Sequence, residues 1–205
     1  MGKARRDKAL ADGKEVTGEE GFNFFMTIIY PEEQLKILPY NRIIKEFGEL
    51  SPENVLEGFA HFTDMSPMEE GENPVPMSGL NEFCLLMGRG ANKWYRCRIK
   101  PEFIDLNDPI RCLITNSITE HFFQQVLGVE NIRTDPRIGF VGGIRGTEEL
   151  VKLVETGIAE AAISLAPVRA AQVFNVADAG LMMPPKCTWY EPKPRSGFIM
   201  RCFDD

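Results

Sequence analysis

The chain has 205 residues, of which 43% are apolar and 26% charged, and its formal net charge is -7. That apolar share is enough for a buried core, and the balance excludes a chain disordered by composition. The absence of any apolar run of about 18 residues excludes a spanning helix, and the acidic balance argues against a general nucleic-acid binder.

The first residues, Met1-Gly2-Lys3-Ala4-Arg5-Arg6, offer no myristoylation signal, because Arg6 stands where Ser or Thr is needed. Asp7-Lys8 interrupts any secretory apolar stretch. Phe22 to Tyr30 (FNFFMTIIY) is aromatic and β-branched and predicts a buried strand ended by Pro31. Lys36 to Leu38 predicts a short second strand closed by Pro39. Ser51-Pro52 predicts a helix start, with Ser as N-cap and Pro in the first turn, and Val55, Leu56 and Phe59 recur at helical spacing. Residues 66–81, rich in proline, glycine and acids, predict a flexible loop.

Glu82 to Met87 and Lys93 to Lys100 flank Gly88-Arg89-Gly90-Ala91-Asn92, the pattern of a β-hairpin. In the second arm Trp94, Arg96, Arg98 and Lys100 share a wet face; Tyr95, Cys97 and Ile99 share the other. Thr115 to Leu127 predicts a helix stopped by Gly128. From there the pattern alternates. Strand Arg137 to Val141 leads through Gly142-Gly143-Ile144-Arg145-Gly146 to helix Thr147 to Thr156. Strand Glu160 to Leu165 precedes helix Val168 to Ala179. A proline-rich segment, Met182 to Lys193, leads to a last strand from Gly197 to Cys202. The fold class is therefore mixed α/β (α+β): a strand-rich N-terminal part, then a partly parallel strand-helix-strand-helix-strand unit. The expected organisation is a single domain over 1–205.

Two segments carry residue types suited to binding chemistry. The turn containing Gly142, Gly143, Arg145 and Gly146 joins a strand to a helix, where free backbone N–H groups and a guanidinium suit anions. It is neither a dinucleotide fingerprint nor a P-loop, and Glu148 and Glu149 would oppose a phosphate. The bland alternative is a tight turn that needs glycine. The second segment is Pro184-Pro185-Lys186-Cys187-Thr188-Trp189-Tyr190-Glu191-Pro192-Lys193. Its prolines stiffen a loop that presents Lys186, Thr188, Glu191 and Lys193, and Trp189 could stack on a base or wall a pocket. The alternative is a loop that seals the core with Trp189. His61 and His121 read as ordinary histidines. Arg133, Asp135 and Arg137 read as a solvated salt-bridge cluster. No metal site is expected at Asp105 and Asp108. Five cysteines, an odd number without CxxC spacing, fit a reducing, cytoplasmic compartment.

Several strings, in order, resemble one family. They are Gln34-Leu35-Lys36-Ile37-Leu38-Pro39-Tyr40-Asn41-Arg42, Arg133-Thr134-Asp135, Phe140-Val141-Gly142-Gly143-Ile144-Arg145-Gly146, Val176-Ala177-Asp178-Ala179-Gly180, and Met183 to Lys193. Together they resemble the domain-of-unknown-function 1015 family, across essentially the whole chain but only over the C-terminal half of the family's longer proteins. The family's N-terminal half carries an Ala-Asp-Gly-His-His-Arg motif; here Ala11-Asp12-Gly13 is followed by Lys14-Glu15, and Gly2 to Leu10 resemble the helix downstream of that motif. The resemblance implies a small-molecule kinase, similar to ParB-like and sulfiredoxin-like proteins, that phosphorylates free L-serine with ATP and Mg²⁺. It also implies that this chain alone is an inactive half, with the general base supplied by the absent half or by Glu191. The alternative is a non-catalytic binding or partner module. The expected partner is a small-molecule substrate, not nucleic acid or a membrane. A homo-oligomer or the missing half would cover an exposed apolar face.

Overall fold

The computed structural model describes residues 2–77, 80–88, 93–193 and 195–200. Contacts divide the chain into two compact units, 1–36 with 192–205, and 37–191. In the first, α1 (Gly2–Ala11) is a charged helix with no buried residue. A short 3₁₀ turn follows at Gly21–Asn23.

The expected strand from Phe22 to Tyr30 does not form. Residues 24–30 belong to no strand, and Phe25 and Ile29 are 81% and 88% exposed. Apolar, β-branched sequence favours a strand only where a neighbour supplies hydrogen bonds and a covering face. Among the described residues no strand pairs with this segment. The expected last strand is likewise absent over 197–200, and 201–202 lie outside the described residues.

The second unit is built on a sheet of six described strands. They are β2 (Tyr40–Ile44), β3 (Thr63–Pro67), β4 (Glu82–Met87), β5 (Lys93–Ile99), β6 (Ile138–Gly142) and β7 (Ala161–Leu165), in the order β3-β5-β4-β7-β2-β6. Strands β4 and β5 are the two arms of the expected hairpin, paired antiparallel from Glu82↔Arg98 to Met87↔Lys93. The hairpin turn, 89–92, lies outside the described residues. Strand β3 takes up Ser66 and Pro67 from the segment expected to be loop.

The expected partly parallel unit takes a particular form. Strands β6 and β7 both pair antiparallel with β2, so they run in the same direction, joined by α4 (Glu148–Glu155). They never pair with each other, because β2 lies between them. Each hydrogen-bonded pair in this sheet is antiparallel.

Both faces of the sheet are covered. On one face α2 (Pro52–Phe62) and α3 (Ile114–Ile118), which continues into a π-helical turn at Thr119–Gln124, pack Phe59, Phe62, Ile118 and Phe122 against Ile44, Phe83 and Ile163. Phe59 stacks on Phe122 with ring centroids 3.8 Å apart. On the other face α4 sets Leu150 and Val154 against Ile43, Leu86, Val141 and Ala162. Burial on both faces explains why β4 and β7 are buried at every position. Helix α2 starts as the sequence dictates, with Ser51 Oγ accepting from Asn54 N–H and Asn54 Oδ1 accepting from Ser51 N–H.

Strand β2 carries two adjacent polar residues, and both are buried. On one side Asn41 Oδ1 accepts the Leu165 backbone N–H at 3.0 Å. Replacing Asn41 with Ala leaves that buried donor unpaired, so urea denaturation should show a loss of about 1–3 kcal/mol. An unchanged midpoint would mean that the bond holds nothing.

Candidate functional site

The candidate site grows out of the end of β2 and the turn after β6. Gly143 N–H donates to the Pro39 carbonyl at 2.8 Å, which joins the two. A Cβ on Gly143 would meet Pro39 Cδ at 2.6 Å, and a Cβ on Gly142 would strike the Trp189 indole. Glycine is required at both positions by close approach. Gly146, at φ +67, needs it for conformation. This favours the tight-turn reading of the glycines, and it adds what the turn is tight against.

Trp189 opens β8 (Trp189–Glu191), which pairs with β1 (Lys36–Leu38) in a two-stranded sheet. Its ring lies 5.2 Å from that of Tyr40, tilted by 58°. Its Nε1 donates to Glu191 Oε2 at 3.1 Å, so Glu191 is held by its own strand. Lys186 also reaches the Tyr40 ring, its Nζ 5.4 Å from the centroid. It does so from a left-handed backbone, φ +57, the one positive φ at a non-glycine residue among those described. For a residue with a Cβ this costs roughly 1–2 kcal/mol. Thr188 is half-buried.

Below this rim lies Arg42, a residue to which sequence reading assigned no role. It is 2% exposed. Its Nη1 donates to the Tyr40 carbonyl at 2.5 Å, and its guanidinium carbon sits 4.7 Å from the centroid of Phe140, its cross-strand partner. Burial pulls its pKa down to about 10, against the opposing influence of Cys187 and Tyr40. Burial pushes the Cys187 thiol up, and Arg42 opposes that shift. Cys187 Sγ donates to the Pro184 carbonyl at 2.8 Å. A thiol so enclosed is a packing group, not an activated nucleophile.

Arg145 is engaged elsewhere. It is 66% exposed and pairs with Glu149 at 3.2 Å, the residue expected to oppose an anion. Lys193 belongs to the other compact unit. Beyond the turn, Thr147 and Glu148 line a cleft of about 600 Å³ with Glu69, Glu70, Glu72 and Lys93; its carboxylates repel phosphate. Among the described residues no group of three or more His, Cys, Asp or Glu side chains could hold a metal ion. Both histidines pack against Phe103, with centroids 5.3 and 5.0 Å from its ring. Asp135 and Arg137, two of the three residues of the expected cluster, form an ion pair at 2.7 Å.

The family model described as "Protein of unknown function (DUF1015)" matches residues 2–125. The chain belongs to this family. The match includes β2 and Arg42 and stops before the glycine turn and Lys186. No curated protein sequence matches the chain. Among solved structures, a free serine kinase in complex with AMP is similar over 80% of this chain and 57% of that one, with a TM-score of 0.50 and 12% identity. A mutant free serine kinase in complex with AMP covers the same shares, with a TM-score of 0.49 and 13% identity. The likeness is one of fold. The chain spans 57% of the length of these solved chains. No helix among the described residues is long and apolar enough to cross a membrane.

Two outcomes follow from this geometry. Gly142→Ala should destabilise the protein by about 1–3 kcal/mol through overpacking. In a Trp94→Phe background, where Trp189 is the remaining tryptophan, its emission should shift to longer wavelength. Unchanged emission would place Trp189 elsewhere. Lys186→Gly should raise the unfolding free energy by about 1 kcal/mol in a denaturant titration, because it relieves the left-handed strain; a loss of stability would contradict that strain.

Proposed function

We propose that this chain is the C-terminal part of a small-molecule kinase that transfers the γ-phosphoryl group of ATP to the hydroxyl of free L-serine, and that it binds substrate without turning it over alone. Three things support this reading: the family, the fold shared with a free serine kinase, and the cluster around Tyr40. The cluster is the observation that carries it. A lysine held in a strained backbone, two aromatic rings and a buried arginine converge where β2 meets the turn after β6.

Phosphoryl transfer asks a protein for positioning and charge compensation more than for covalent chemistry. Lys186 supplies a positive charge over the Tyr40 ring, and Trp189 stands beside it as an aromatic wall. Thr188 adds a hydroxyl. Gly142 lets Trp189 come close enough to form that wall, and Gly143 lets Pro39 close the turn beneath it. Arg145 would join the ligand by releasing Glu149, and Gly146 lets the chain turn there. Lys193 lies in the other unit and is given no part in this site. Glu191, bonded to Trp189, orients the indole rather than serving as general base. The proton of the serine hydroxyl is taken by a group outside this chain. ATP supplies the phosphoryl group, with Mg²⁺ as its counter-ion.

A second reading, a non-catalytic partner module, is favoured by one observation: the exposed apolar run that includes Phe25 and Ile29. Incubating the 205-residue chain with ATP and L-serine separates the two, with O-phosphoserine followed by mass spectrometry and AMP binding by calorimetry. The proposal expects AMP to bind, Lys186→Ala to weaken it about two- to fivefold, and no O-phosphoserine to form. Failure to bind AMP or L-serine would leave the partner module. Serine-dependent ADP release would show a complete enzyme.

A further inference from the structure

Arg42 is the buried charge that packing does not explain. A guanidinium carries five N–H donors and cannot shed its charge at neutral pH. Buried arginines are ordinarily paired with a carboxylate, because an uncompensated charge away from water is costly. Among the described residues the one acceptor is the Tyr40 carbonyl, and the salt bridges of the described residues leave Arg42 out. Phe140 covers one face of the guanidinium. Thr115 Oγ1 is the one side-chain polar atom among the described residues that is sealed from solvent without a partner. The unpaired nitrogens of Arg42 therefore keep a trace of access.

The surroundings of Arg42 are aromatic, with Lys186 at the Tyr40 ring. Tyr40 precedes Arg42 by two residues on the same face of β2, and Lys186 and Trp189 flank the Tyr40 ring. Cys187, the other ionisable neighbour, is held in its neutral form by burial. The local field is positive at two depths, Lys186 at the exposed rim and Arg42 beneath, with no carboxylate of the described residues to neutralise the lower one.

We propose that Arg42 is the anchor of this site and receives the carboxylate or phosphate group of the small-molecule ligand, with Lys186 as the outer contact. A fork of two parallel N–H donors fits either oxyanion. The inference rests on reading the Tyr40 cluster as a ligand site and names the group that the ligand must carry.

The test compares the full chain with Arg42→Met, Arg42→Lys and Lys186→Gly, titrated by calorimetry with inorganic phosphate, AMP and L-serine separately. At least one ligand should bind the unaltered protein. Arg42→Met should weaken it roughly 10- to 100-fold; Arg42→Lys, which keeps charge without the fork, should weaken it less; Lys186→Gly should weaken it about two- to fivefold. Phosphate and AMP binding without L-serine assigns a phosphate, and L-serine binding alone assigns a carboxylate. Without ligand, Arg42→Met should melt at the same temperature or higher, since it removes a desolvated charge.

Binding that survives in Arg42→Met overturns the inference and leaves the kinase proposal standing. Phosphate binding lost in Arg42→Met, without any binding of AMP or L-serine, supports the anchor and removes the kinase proposal. An Arg42→Met protein that fails to fold, or an unaltered protein that binds none of the three, overturns the anchor.

Discussion

Everything distinctive in the larger unit depends on β2 lying between β6 and β7. Without it, β6-α4-β7 would be an ordinary crossover with two neighbouring parallel strands. With it, the same two strands are held apart and pair antiparallel with a strand from far earlier in the chain. The insertion fixes where the first and last parts of the unit meet. Pro39 and Tyr40 at the start of β2 are brought against Gly142 and Gly143 at the end of β6, and the β8 segment packs onto that junction through Trp189.

The polar pair of β2 serves both sides of this arrangement. Asn41 and Arg42 point to opposite faces, as successive strand residues must. Asn41 ties the strand to Leu165 at the end of β7, so its burial is balanced by a hydrogen bond. Arg42 has one hydrogen bond, to the Tyr40 carbonyl, and no counter-charge among the described residues. A protein that retains an uncompensated cation under an aromatic rim gives up stability at one place, and the strained Lys186 backbone gives up more at the same place. The proposed binding role accounts for two local costs falling in one small cluster.

The sequence was legible where local chemistry decides structure. The Ser51-Pro52 cap, the hairpin arms, α4, β7 and α5 (Ala170–Asp178) all follow from capping, alternation or helical spacing. Strand β2 was not legible, because Asn41 and Arg42 interrupt the apolar pattern and only the register with β6 and β7 makes them interior. The segment from Phe22 to Tyr30 misled in the opposite sense: its composition is that of a strand, yet pairing requires a neighbour that composition cannot supply. At the site, Trp189 and the glycines were singled out separately, but their contact is tertiary. Arg42 was visible only as a letter in a family-like string; a lone arginine followed by Ile43-Ile44 in a short β-branched run was the available signal. Arg145, chosen for its chemistry, turned out to be occupied by Glu149.

The central claim is that Tyr40, Gly142 and Trp189 form one junction over a receptive Arg42. Nuclear magnetic resonance on arginine-labelled protein tests it directly. The account predicts cross-peaks between the Trp189 ring protons and the Gly142 α-protons, and a shift of the Arg42 Nε–Hε resonance when AMP, inorganic phosphate or L-serine is added. Missing cross-peaks would dissolve the junction, and an Arg42 resonance indifferent to all three additions would leave its charge without a purpose.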